Sequence, residues 1–263
     1  MAVTDKTAPH DPHDTPTADS VAAIERNLAG VRARIAAACA RVGRRPDEVR
    51  LLPVSKTVPE ERIRMAYAAG CRYLGENKVQ EALRKHEALD DLPDLRWSII
   101  GHLQTNKARY VARFASEFQA LDGLRAAEAL ERRLEVEDRA LDVFVQVNSS
   151  GEESKFGLRP DEVGAFVREL PNFPRLRVKG LMTLALFSAD EARVRRCFVL
   201  MRELRDALRQ DAPDGVRLDE LSMGMSGDFE TAIEEGATVV RVGQSIFGAR
   251  ALPDSYYWPG QGA

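Results

Sequence analysis

Cysteine is scarce in this chain. Cys39, Cys71 and Cys197 are far apart in 263 residues and form no CxxC pair. That excludes a zinc ribbon and argues against a disulfide scaffold, so reduced cytosolic thiols and a cytoplasmic protein are expected. No apolar run approaches the ~18 residues a membrane-spanning helix needs, so no membrane association is expected. Excess charge of one sign is lacking too: 38 basic residues stand against 41 acidic ones, a formal net charge of −3. A nucleic-acid binder would carry a basic surplus, and none is expected here. HExxH, GxSxG, Walker-type loops and paired-carboxylate spacings are all missing. No metal site is expected; His10 and His13 stand alone in a proline-rich stretch.

What is present is a globular composition, 44% hydrophobic and 30% charged, over a length that suits one large domain. Residues 1–19 are read as a disordered leader, because they hold prolines, threonines and aspartates and no large apolar residue beyond Met1 and Val3. From Ser20 the pattern becomes regular. Val21, Ile24, Leu28, Val31, Ile35, Cys39 and Val42 recur at steps of three or four, the mark of one buried helix face. Asp19 or Ser20 is the candidate cap and Gly43 the stop. Apolar runs then follow at 49–56, 71–77, 95–103, 117–122, 141–149, 178–186, 218–225 and 238–248. Helical stretches separate them near 59–70, 78–89, 105–114, 124–138, 160–170, 189–210 and 226–235. Apolar strands alternating with helices imply parallel pairing with both faces covered. Eight such units predict an α/β fold, a single (β/α)₈ TIM-type barrel over residues 20–250 with an extra N-terminal helix and a tail at 251–263. A doubly wound open sheet is the rival, disfavoured because no GxGxxG follows the first strand.

In such a barrel the chemistry lies at the C-terminal strand ends. Lys56 ends a strand whose other residues look buried. An amine in an apolar pocket loses charge and becomes a nucleophile toward aldehydes; alternatively, Lys56 snorkels at the rim or pairs with an acid. Ser226-Gly227 before a helix and Gly243-Gln244-Ser245 after the eighth strand combine glycines, small hydroxyls and free N–H groups, as a phosphate cradle does. Ser226 as a plain helix cap is the alternative. Arg241 lies two residues before Gly243 on the same strand face and can point inward, toward a ligand or toward an acid such as Glu76. Asn77, Met182, Ser222 and Met225 occupy further strand ends. His102 is a candidate base or a plain hydrogen-bonding residue. Lys155, in the polar segment NSSGEESKFG after the fifth strand, is either a transient acceptor of an aldehyde at the barrel mouth or a solvated loop lysine.

An aldehyde-reactive lysine, a phosphate cradle and an inward arginine suggest pyridoxal 5′-phosphate. The segments LLPVSKTVP (51–59), LGENKVQEA (74–82), WSIIGHLQTNKARYV (97–111), GLMTL (180–184) and LSMGMSGDFETAIEEGATVVRVGQSIFGAR (221–250) resemble the pyridoxal phosphate homeostasis proteins. These are in turn similar to the N-terminal barrel of alanine racemase. The resemblance implies Lys56 as the Schiff-base lysine, phosphate around Ser226 and Gly243–Ser245, and Arg241 near the pyridine nitrogen. Two departures stand out: Ala185-Leu186-Phe187 follows GLMTL where the family usually has prolines, and Gln244-Ser245 replaces its more frequent Thr-Ala.

The expectation is a non-enzymatic carrier that buffers pyridoxal phosphate for vitamin B6 homeostasis, with pyridoxal phosphate-dependent apo-enzymes as candidate recipients and a monomeric state. Racemase-type enzymes draw a second base from the neighbourhood of a further β-domain, for which the residues after the eighth strand leave no length. A racemase-like enzyme using Lys56 and His102 is the alternative, and a cofactor-free Schiff-base aldolase the third reading.

Overall fold

The computed structural model describes residues 17–152, 155–186 and 188–248. The expected leader up to residue 16 and the tail at 251–263 lie outside them. The long amphipathic stretch forms helix α1 (Val21–Arg41). Ser20 is the cap: its side chain accepts the Ala23 N–H at 3.2 Å. Gly43 ends the helix with φ +68°, a conformation only glycine adopts freely.

Eight short strands follow: β1 (Arg50–Pro53), β2 (Tyr73–Glu76), β3 (Arg96–Ile99), β4 (Glu117–Leu121), β5 (Leu141–Gln146), β6 (Leu176–Met182), β7 (Glu220–Ser222) and β8 (Val239–Val242). Between them run α2 (Glu60–Ala68), α3 (Val79–Ala88), α4 (Ala108–Phe114), α5 (Leu124–Val136), α6 (Pro160–Glu169), α7 (Glu191–Gln210) and α8 (Phe229–Glu234), with α9 (Gln244–Phe247) after β8. All ladders are parallel, in the order β1-β8-β7-β6-β5-β4-β3-β2. A parallel bridge between Val54 and Gly75 brings the ends together, so the sheet closes into the expected barrel. Leu52, Leu74, Ile99, Phe118, Val143, Leu181 and Val239 are fully buried, as strands covered on both faces require.

The strands are shorter than the apolar runs. Ile100 and Leu103 lie beyond β3 yet stay buried, and beyond β5 only Val147 keeps a strand-like bridge, to Leu158, before the polar Asn148 and Ser149. The run at 238–248 divides into β8 and the single turn α9. Gly243 (φ −114°, ψ −71°) redirects the chain at that point. In the other direction, β6 starts two residues before the run that announced it.

The extra helix buttresses the end of the barrel sequence. Arg34 makes a two-pronged pair with Glu230 of α8 at 2.8 and 2.9 Å, and Asn27 Nδ2 donates to the Ile246 carbonyl of α9 at 2.9 Å. Ala18 is buried and donates its N–H to the Phe247 carbonyl. The loops after β7 and β8 are therefore held from behind.

Candidate functional site

Lys56 follows the point where β1 is held on both sides. Val54 N–H donates to the Val242 carbonyl at 2.9 Å, and Ser55 N–H donates to the Gly75 carbonyl at 3.0 Å. Lys56 is half-buried. The next residue, Thr57, has φ +63°, an uncommon conformation for a β-branched residue. Beneath this turn lies a lysine with no exposed surface. Lys85 Nζ donates to the Ser55 carbonyl at 2.7 Å, to Glu76 Oε1 at 2.8 Å and to Glu81 Oε1 at 2.7 Å. Ser55 Oγ also donates to Glu76 Oε1, at 2.6 Å. Burial pushes the Glu76 carboxyl above the usual range, with the Lys85 ammonium and the Ser55 hydroxyl offsetting part of that. Burial acts on Glu81 in the same direction, but Lys85 and the Thr57 N–H outweigh it and hold the group low.

Arg241 points inward, as expected, and is almost fully buried. Its Nη1 donates to Ser222 Oγ and its Nη2 to the Thr183 carbonyl, each at 2.7 Å. Glu76 is not its partner: that carboxylate receives Lys85 and Ser55 on Oε1, and its buried Oε2 has no hydrogen-bond partner among the described residues. Burial lowers the guanidinium to about 10, which leaves it charged at neutral pH; Asp228 acts in the opposite sense. Burial likewise raises the Asp228 carboxyl, against the Met225 N–H and the charge of Arg241. Ser222 Oγ donates onward to Gln119 Oε1, and Gln119 Nε2 to Glu117 Oε1, both at 2.6 Å.

Ser226 is not the helix cap. Helix α8 starts at Phe229, and Asp228 Oδ1 closes the preceding turn by accepting the Met225 N–H at 2.5 Å. Among the described residues, the backbone N–H groups of Ser226, Gly227, Gly243, Gln244 and Ser245 have no backbone acceptor. Five donors thus remain at the adjoining ends of β7 and β8. A Cβ on Gly243 would come 3.0 Å from the Val54 carbonyl, so this loop lies against the end of β1, two residues from Lys56.

The remaining expected residues divide. Met182 pairs in register with Ser222, and Met225 begins the turn that Asp228 closes. Asn77 follows β2, with Gly101 packed so closely on its carbonyl that a Cβ would overlap it. His102 Nδ1 is 3.0 Å from Asp122 Oδ2, just after β4, and its ring stacks on Phe156 at 3.9 Å. Lys155 Nζ donates to the Ala185 carbonyl at 3.0 Å and pairs with Glu152 at 2.5 Å, at the loop after β6.

Lys85, Gln119, Glu117 and Asp228 escaped the sequence reading. Lys85 carried one signal, since it continues the Val79, Ala82 step of α3's buried face. Gln119 and Glu117 lie on one strand at a spacing of two, which puts them on one face.

The family model described as the alanine racemase N-terminal domain matches residues 21–251. A pyridoxal phosphate homeostasis protein of Aquifex aeolicus is 44% identical over 228 residues, covering 87% of this chain and 98% of that protein. The chain belongs to the pyridoxal phosphate homeostasis protein family. Among solved structures, PipY of Synechococcus elongatus with PLP bound is a similar member: 37% identical, TM-score 0.76, covering 86% of this chain and all of that one. Alanine racemase of Corynebacterium glutamicum shares the fold at 17% identity, with a TM-score of 0.66 over 91% of this chain and 65% of its own. As a family member the chain thus has the barrel in common with racemases, and it spans nearly the full length of the Aquifex aeolicus homeostasis protein.

Proposed function

We propose that this protein binds pyridoxal 5′-phosphate, retains it through the Lys56 amine, and buffers and hands over the cofactor rather than transforming amino acids. The observation that carries the reading is the set of five N–H groups at the ends of β7 and β8 that have no backbone acceptor among the described residues, beside the end of β1 and the buried Arg241. Backbone N–H groups left open in a glycine-containing loop pair suit a dianionic phosphate. Ser226 and Ser245 add hydroxyl donors. Gln244 and Ser245 replace the commoner Thr-Ala without altering the backbone donors. The similarity to PipY, whose structure contains PLP, and to proteins named for its homeostasis supports the same ligand.

When bound, the cofactor supplies an electrophilic aldehyde. Lys56 provides the amine, and Asn77, Met182 and Met225 line the approach between the strand ends. Ser222 and the Thr183 carbonyl fix the guanidinium of Arg241. Arg241, assigned to the ring nitrogen, keeps that atom unprotonated, because a permanent cation disfavours a second one beside it. That withholds the electron sink on which amino-acid chemistry depends. The protein acts in the cytoplasm as a monomer, and its recipients are apo-enzymes that use the same cofactor. Among the described residues no helix is long and apolar enough to cross a membrane.

Equilibrium dialysis with pyridoxal 5′-phosphate tests the reading. One equivalent should be retained by the wild type, with an absorbance in the visible range, and Lys56→Ala should lose that absorbance. No retention by the wild type would overturn it.

A further inference from the structure

We propose that Lys85, Glu76 and Glu81 form a clamp on the backbone either side of Lys56, with Lys85 and Glu81 acting as positioning residues for its amine. The inference rests on Lys56 being the cofactor lysine.

The three donors of the Lys85 ammonium are all used, and each acceptor bears on the same short turn. The Ser55 carbonyl, one residue before Lys56, is bound directly. Glu76 Oε1 is shared with the hydroxyl of Ser55. Glu81 Oε1 is shared with the N–H of Thr57, one residue after Lys56, at 2.7 Å. One buried cation thus reaches both flanks of Lys56, directly on one side and through a carboxylate on the other.

The turn needs such support. Thr57 is held at φ +63°, which a β-branched residue adopts only when its surroundings impose it. Glu81 sits in the first turn of α3 and Lys85 one turn later, so the helix presents both groups to the same side. Burying an ammonium and a carboxylate here costs more solvation than an apolar pair would, which points to a geometric rather than a stabilising role.

The step that depends on this geometry is condensation. The Lys56 amine adds to the aldehyde carbon, a C=N bond forms, and one water leaves. Pyridoxine 5′-phosphate carries an alcohol in place of the aldehyde and cannot take this step, though it offers the same ring and phosphate. The two compounds therefore separate positioning of Lys56 from integrity of the site.

The experiment measures covalent capture of pyridoxal 5′-phosphate by borohydride trapping over time, and binding of pyridoxine 5′-phosphate by calorimetry. Wild type, Glu81→Ala, Glu81→Gln and Lys85→Met are compared. Glu81→Ala removes the acceptor from a half-buried helix position, and its capture rate should fall about tenfold, the factor for one lost hydrogen bond to a charged group. Lys85→Met should slow capture in the same way. Affinity for the alcohol should stay at the wild-type level in Glu81→Ala. Glu81→Gln keeps an acceptor oxygen and should restore wild-type capture. An unchanged capture rate in Glu81→Ala, or an equal loss of both ligands, overturns the clamp. A wild type that binds neither compound refutes the cofactor reading instead.

Discussion

Arg241 and Glu117 are joined by a hydrogen-bonded chain in which every donor points the same way. Arg241 donates to Ser222, Ser222 to Gln119, and Gln119 to Glu117, whose second oxygen accepts from Arg50 at 2.6 Å. A guanidinium at the barrel mouth is thereby linked, through two neutral side chains, to a carboxylate at the first residue of β4. Gln119→Leu breaks the chain in the middle and leaves the Ser222 hydroxyl without its acceptor. The expected cost is about 1–3 kcal/mol of stability in a urea titration. Arg241 also loses its fixed orientation, so affinity for pyridoxal 5′-phosphate should fall. A variant as stable and as tight-binding as the wild type would show that the chain is incidental.

Two glycines give opposite expectations for the same substitution. Gly101→Ala would drive a methyl group into the Asn77 carbonyl, so the backbone at the end of β2 must move. A loss of about 1–3 kcal/mol is expected, together with weaker ligand binding. Gly30→Ala lies inside α1, where a methyl group meets nothing within 4 Å. It should gain about 0.5–1 kcal/mol. Thermal unfolding of both variants checks the pair, and a destabilised Gly30→Ala would contradict the packing described for α1.

Asp228 makes a pH-dependent prediction. Burial raises its carboxyl above the ordinary value of 3.8, so the folded protein holds that proton more tightly than the unfolded chain. The resulting stabilisation is fully present below 3.8 and is lost as pH rises through the raised folded value. Asp228→Asn keeps an acceptor for the Met225 N–H and cannot ionise. The melting temperature of the wild type relative to this variant should therefore decline from pH 3.5 to pH 7. A rise over that interval would give the wrong sign.

The barrel was legible because its eight apolar runs alternate with helices, and because Gly43, Pro59 and Gly70 punctuate them. Lys56 and Arg241 could be singled out for the same reason: a charge on an otherwise apolar strand stands out. The groups that hold them could not. Lys85 reads as one more helical lysine until α3 is laid on β1 and β2, and Gln119 meets Ser222 only through closure of the barrel, 103 positions apart. Strand ends were overrun because apolar residues continue into the mouth loops, as at Ile100 and Leu103. Hydrophobicity reports burial, not pairing.

Lys155 tests the hand-over. Its amine is tied to the Ala185 carbonyl, two residues beyond Thr183, which receives Arg241. On the proposed hand-over, Lys155 would accept the aldehyde briefly during release. Transfer of pyridoxal 5′-phosphate from Lys155→Ala to an apo-enzyme should be slower than from the wild type. Transfer at the wild-type rate would remove Lys155 from the path.

The central claim is that Lys56 carries the cofactor, and peptide mapping tests it most directly. Protein loaded with pyridoxal 5′-phosphate is reduced with borohydride, digested and analysed by mass spectrometry. The account predicts the pyridoxyl group on the peptide containing Lys56, and its absence from that peptide's counterpart in Lys56→Ala. Label recovered mainly on Lys78, Lys107 or Lys155 would contradict it.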